Sequence, residues 1–271
     1  MKNKLNLSRI ESIILITFLS LLVLVSVLSL FDIPSFNSQV ADRMFSDSIS
    51  RFLGGIIFIL ILISIGYKHA FTFKKPVTKS LLIIIPSMII AINNFPFSAF
   101  LNGRTELVEP GYAIYVFLLE CISIGFFEEV IFRGVIMIVI LQRVASSRKG
   151  LLVAVILSSA VFGIMHLFNL FAGASFGATM LQIGYSFLMG MMWAVIYLKT
   201  RNIWLSVLLH TIYNFFGLVL FALGTVTNRY DTFTVISTTI LGSIVAVYIV
   251  YLFLSIDLEK VKEITTPAAS Q

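Results

Sequence analysis

The sequence predicts an all-α fold, a polytopic bundle of about eight transmembrane helices with both termini in the cytosol. Three observations carry this: composition, the length of the apolar runs, and the charge of the loops between them. Of 271 residues, 59% are apolar and 12% charged, and mean hydropathy is +1.02. Soluble domains carry roughly 25% charged residues and about 45–50% apolar ones, so this chain holds too much hydrocarbon to fold in water. Soluble, disordered and fibrous classes are excluded. The 25 Phe residues and unbroken apolar runs also exclude an outer-membrane barrel, whose strands alternate polar and apolar with a period of two.

A helix needs roughly 20 residues to cross about 30 Å of hydrocarbon. Runs of about that length stand at 12–31, 52–67, 80–96, 112–142, 150–170, 179–198, 203–223 and 233–254. The first follows Lys2, Lys4 and Arg9, as a signal peptide would. Its apolar stretch Ile13–Leu30 exceeds a signal core and no Ala-x-Ala-like site follows, so it reads as a retained anchor. The second and third runs are short, and Asn93-Asn94 with Pro96 closes the third, which makes seven spans the alternative count. Boundaries fall at 1–111 for the N-terminal spans, 112–223 for a central helical core, and 224–271 for the last span and a polar tail. That tail, 255–271, reads as disordered.

Placing the loops alternately on two sides puts 14 Lys/Arg with the N-terminus: Lys2, Lys4, Arg9, Lys68, Lys74, Lys75, Lys79, Arg143, Arg148, Lys149, Lys199, Arg201, Lys260 and Lys262. Four fall on the other side, Arg43, Arg51, Arg104 and Arg229. The positive-inside rule makes the N-terminal side cytosolic and favours an even number of spans. The net charge of +6 comes from these short clusters and not from a patch with interleaved aromatics, so no nucleic-acid partner is expected. Cys121 is the single cysteine, which rules out an intrachain disulfide and any cysteine-based metal site.

Glu120, Glu128, Glu129, Arg133, His166, His210 and Asn214 lie inside apolar runs. An ionisable group near the bilayer centre costs about 2.5–3.5 kcal/mol, so something must offset this set. Glu129 and Arg133 are four apart with the acid first, the favourable orientation for an ion pair on one helix face. For these two the simplest reading is mutual neutralisation. Glu128 is rotated about 100° from Glu129 and needs a separate polar partner or a wet cavity. His210 and Asn214 are also four apart and share a face. His166 shares a helical stripe with Ser159 and Gly163, small residues that admit a close neighbouring helix. A lone intramembrane histidine is as often a hydrogen bonder between helices as a reactive group; two of them with an unpaired glutamate favour a site. At about 1.5 Å rise per residue, Glu128 lies roughly 21 Å, His166 roughly 24 Å and His210 roughly 10 Å from the cytosolic ends of their spans.

A carboxylate and an imidazole sharing one water form a general-base pair for attack on a carbonyl. A second imidazole and an amide N–H can stabilise the oxyanion. The same two histidines and Glu128 also fit the ligand set of a zinc hydrolase, although no His-Glu-x-x-His is present. Both readings stay open at this point. His69 reads as a solvated loop residue, Trp193 and Trp204 as interface anchors, Met189, Met191 and Met192 as packing, and Cys121 as buried and inert.

Glu128-Glu129-Val130-Ile131-Phe132-Arg133, Phe162-x-x-x-His166 and His210-x-x-x-Asn214, in this order on successive apolar helices, resemble the motifs of the CAAX protease and bacteriocin-processing family of intramembrane proteases, type II CAAX prenyl endopeptidases among them. The resemblance covers about residues 113–217. It implies that 112–223 is the catalytic core, that Glu128 activates water with His166, and that His210 and Asn214 stabilise the oxyanion. Glu129 and Arg133 then keep the site in shape. It favours a metal-free glutamate mechanism with zinc as the alternative, which would engage Glu128, His166 and His210. The implied substrate is a peptide or membrane protein within the bilayer, and the implied role is bacteriocin immunity or peptide maturation at a bacterial plasma membrane. Two other classes compete: a non-catalytic membrane binding protein, such as an immunity factor or sensor partner, and a proton-coupled transporter, for which no broken-helix pair argues.

Overall fold

The computed structural model describes residues 33, 35–72, 77–144 and 147–266. The run at 12–31 lies outside them, as do Lys2, Lys4, Arg9, Lys74, Lys75 and the last residues of the tail.

Helix α1, Gln39–Ser64, starts on Ser38, whose hydroxyl accepts the Ala41 N–H at 3.1 Å. It begins well before the apolar run at 52–67 because its polar first half turns Arg51 onto Asp47 at 3.3 Å and onto Glu120 at 3.2 Å. Helix α2, Val77–Asn93, contains Pro86, which removes one backbone bond inside the helix. A short α3, Phe97–Leu101, leads into strand β1, Thr105–Leu107. This strand pairs antiparallel with β2, Gly224–Val226, in the register Thr105↔Val226, Glu106↔Thr225, Leu107↔Gly224. The ribbon is a small addition to an otherwise helical fold, as the sequence predicts. A Cβ at Gly224 would stand 1.9 Å from the Glu106 carbonyl oxygen, so close pairing requires glycine there.

The run at 112–142 is one continuous helical course in three parts: α4, Ala113–Glu129; a π-helical stretch, Val130–Ile136; and α5, Met137–Val144. Helix α6, Arg148–Met165, begins on Ser147 and tightens into a 3-10 turn, His166–Leu170. Helix α7 is Phe176–Thr200 and ends on Arg201 in the left-handed region, φ 53°. Helix α8, Ile203–Ala222, is capped by the Asn202 side chain. Helix α9, Thr232–Leu254, is capped by Asp231, which accepts the Thr234 N–H at 2.9 Å. Among the described residues, five helical segments are long and apolar enough to cross a membrane: Gln39–Ser64, Arg148–Leu170, Phe176–Thr200, Ile203–Ala222 and Thr232–Leu254.

The tail departs from expectation. Leu258–Thr265 forms an amphipathic helix, α10, which buries Val261 and Ile264. An apolar pair three residues apart on one helical face is enough to dock a short, otherwise charged segment.

Long-range hydrogen bonds sort the loops into two ends. At the first, Ser38 donates to Glu109 at 2.6 Å, Arg104 bonds Asp231 at 2.5 Å, and Asn93 donates to Thr238 at 3.0 Å beside the β ribbon. At the second, Gln142 bonds Tyr67 and the Thr265 carbonyl, Arg148 donates to Phe253 O at 2.9 Å, and Lys199 donates to Ser255 O at 2.7 Å. There Trp204 Nε1 also donates to Phe71 O at 2.8 Å. Between the ends, α4 packs against α1 and α8, α6 against α7, and α2 against α8. Small residues set the closest crossings. A Cβ at Gly125 would lie 3.0 Å from Val207 O, and one at Gly163 would lie 3.0 Å from Ile183 O.

Candidate active site

The site begins with a buried charge. Glu129 ends α4 with its side chain 0% exposed, and Arg133, four residues on within the π-helical stretch, is 1% exposed. Arg133 Nη1 donates to Glu129 Oε1 at 2.9 Å and Nη2 donates to Gly190 O on α7 at 3.0 Å. The guanidinium lies 5.1 Å from the Phe162 ring centre and 5.6 Å from that of Trp193, aromatic faces that favour a cation. The expected ion pair is therefore present, and it ties α4 to α6 and α7. Widened π turns are common at functional sites, and this one lies between the glutamate pair and α5.

His210 on α8 joins the two acids. Its Nδ1 is 3.0 Å from Glu129 Oε1 and its Nε2 is 3.6 Å from Glu128 Oε2. A carboxylate accepts, so the contact with Glu129 places a proton on Nδ1 and turns Nε2 toward Glu128. Trp193 stacks on the imidazole at 4.1 Å with the planes 20° apart, and its own carbonyl accepts the Ser206 hydroxyl at 3.2 Å. The ring is thus held on one face by the indole and at one nitrogen by Glu129. The expectation that Trp193 is an interface anchor is corrected: it is 1% exposed and supports the site.

Glu128 faces the other way, as its rotation from Glu129 predicts. Its side chain is 29% exposed and lines a cavity of about 560 Å³ together with His166, His210 and Asn214. His166 stands where α6 gives way to the 3-10 turn. Its Nδ1 lies 3.1 Å from Phe162 O, and since a carbonyl only accepts, Nδ1 carries the proton and Nε2 is left as an acceptor. Among the described residues Asn214 makes no hydrogen bond, which leaves its amide to the cavity.

The structure therefore brings Glu128, His166, His210 and Asn214 to one cavity and sets Glu129 and Arg133 behind it. The depth count needs correction: His210 is level with Glu128 despite its shorter count from the helix start. Rise per residue measures distance along one helix axis only and does not fix where a neighbouring helix starts. Glu120 stays apart, held by Arg51. Among the described residues no three His, Cys, Asp or Glu side chains are placed together to hold a metal ion. His69 is half-buried beside Tyr67, not fully solvated. Cys121 is wholly buried.

Sequence reasoning missed the rim. Asn94 donates to Tyr213 O at 3.1 Å and accepts from Arg229 at 2.9 Å, while Asn169 donates to Gln182 at 2.8 Å. All five of these residues line the cavity. Asn94, Asn169 and Arg229 lie at helix ends and in loops, where polar side chains give no signal. Glycine at 217 makes room for this asparagine, since a Cβ there would stand 2.0 Å from Asn94 Nδ2.

A family model described as Rce1-like, type II CAAX prenyl endopeptidase, matches residues 110–216, the segment that carries all six motif residues. No curated protein and no solved structure matches the chain.

Proposed function

We propose that this chain, with its match to a family of membrane proteases, is an intramembrane endopeptidase that hydrolyses peptide bonds by glutamate-activated water, resident in a bacterial plasma membrane with both termini cytosolic. The observation that supports this reading best is the line Arg133–Glu129–His210–Glu128 ending on a cavity that also holds His166 and Asn214. Glu128 takes a proton from water while the water oxygen bonds to the substrate carbonyl carbon. His166 Nε2, free because Nδ1 is committed to Phe162 O, accepts a hydrogen bond from the other water O–H, which stays on the oxygen, and so aims the oxygen. As the carbonyl oxygen becomes anionic, the Asn214 amide and His210 Nε2–H donate to it. Glu128 then returns its proton to the leaving amine as the C–N bond breaks.

Glu129 and Arg133 do not touch the reacting atoms in this scheme. They hold the His210 ring and its Nδ1 proton. The experiment is cleavage of a peptide by the purified protein in detergent: Glu128→Gln, His166→Ala and His210→Ala each abolish turnover while the fold persists. Activity retained in all three would refute the assignment.

A further inference from the structure

We propose that the cavity is fed from the extracytoplasmic face of the membrane, so that the substrate is an exported peptide or the outer juxtamembrane segment of a membrane protein and not a cytosolic chain end. The word substrate rests on the proteolytic reading; the sidedness does not.

The residues that line the cavity run from the first end of the bundle inward to Glu128, Trp193 and His210. Asn93, Asn94 and Pro96 close α2, Arg229 and Tyr230 precede α9, and Thr234 and Thr238 stand in its opening turns. Helix α7 contributes from Leu181 to Trp193, its first two thirds, and α8 contributes from His210 to Leu218, toward its far end. The β ribbon and the Arg104–Asp231 bridge lie at this same end.

Toward the second end the way is shut. Below Glu129 and Arg133 stand Ile131, Met137, Leu141, Ile196 and Tyr197, each under 3% exposed. Among the described residues, none from the loops at that end lines the cavity. A water or peptide arriving from there would have to displace close-packed side chains, whereas the first end offers a polar rim of asparagine, threonine, tyrosine and arginine.

Charge then orients the bundle. Among the described residues the second end carries Lys68, Lys79, Arg143, Arg148, Lys149, Lys199, Arg201, Lys260 and Lys262, against Arg43, Arg51, Arg104 and Arg229 at the first. Lys/Arg bias in short loops next to spans decides orientation irrespective of acidic neighbours. The second end is the cytosolic one, so the closed end of the cavity faces the cytosol and its mouth faces outward.

The test is thiol labelling of the full chain in intact cells with a membrane-impermeant maleimide. Cys121 is wholly buried, so the unaltered protein is the unlabelled control. Single cysteines go into the cavity at Gln182→Cys and Thr239→Cys, at its mouth at Tyr230→Cys, and on the opposite end at Lys262→Cys. We expect the first three to label at least ten-fold faster than Lys262→Cys, which labels only once the cells are permeabilised. Labelling of Lys262→Cys in intact cells overturns the proposal. So does labelling of both cavity positions only after permeabilisation, or from neither face. Failure of Glu128→Gln to change cleavage would sink the proteolytic reading and leave these labelling patterns untouched.

Discussion

Replacing Arg133 with Met isolates the buried charge on which the site is built. Arg133 fills a pocket between Phe162 and Trp193, and Met is an apolar side chain of similar length, so the change removes charge and two hydrogen bonds with little change of shape. Glu129 then sits fully buried with His210 as its remaining partner. Removing one partner of a buried ion pair costs about 3–5 kcal/mol because the other charge is left uncompensated. Adding Glu129→Gln removes that charge yet keeps an oxygen that can accept the His210 Nδ1 proton. The double variant should therefore regain at least about 2 kcal/mol of the loss, a coupling within the range seen for residues in contact. Denaturation of wild type, both single variants and the double variant in one detergent completes the cycle. The reasoning fails if Arg133→Met stays within about 1 kcal/mol of wild type, or if the double variant is no more stable than it. Cleavage should stay low in both, since neither keeps the Arg133-anchored carboxylate that holds the His210 ring.

Glu128→Gln should lower turnover by about 10²–10⁴-fold, the contribution typical of a positioned general base, while stability measured by denaturation changes by less than about 1 kcal/mol. Gly163→Ala should cost about 1–3 kcal/mol by pressing a methyl against the Ile183 carbonyl, and should slow cleavage by displacing Phe162 and His166; an alanine variant of full activity and stability would contradict the close crossing. Asp231 is held well below the usual carboxylate range, first by the Ser98 hydroxyl, then by the Thr234 N–H and Arg104. A depressed folded-state value adds stability that is complete above about pH 5 and is lost as pH falls further. Wild type should therefore lose its thermal margin over Asp231→Asn between about pH 5 and acid, and a margin independent of pH would count against the Ser98–Arg104–Asp231 clamp.

Polar side chains in apolar runs were the legible part of this molecule. Glu128, Glu129, Arg133, His166, His210 and Asn214 announce themselves because burial of such groups in hydrocarbon needs a reason, and helical periodicity already separates Glu128 from the Glu129–Arg133 pair. The stripe of Ser159 and Gly163 likewise foretells a close crossing. What stayed hidden is what periodicity does not encode. The π-helical stretch at Val130–Ile136 comes from the backbone's fit to its neighbours, and the stacking of Trp193 on His210 depends on how α7 and α8 cross. The β ribbon is only three residues a side, too short for a pattern. The docking of α10 rests on two apolar residues in a charged segment. The relative depth of His210 is not legible either, because a count along one helix carries no information about the height at which its neighbour starts.

The central claim is that Glu128 makes this membrane protein a protease. Its most direct test compares peptide termini, by N- and C-terminal mass spectrometry of membrane and secreted fractions, between cells carrying the wild-type chain and cells carrying equal amounts of Glu128→Gln. The account predicts a set of new termini present with wild type and absent with the variant. Identical termini in the two, with the biological effect of the protein preserved in the variant, would contradict it and point to a protein that acts by binding.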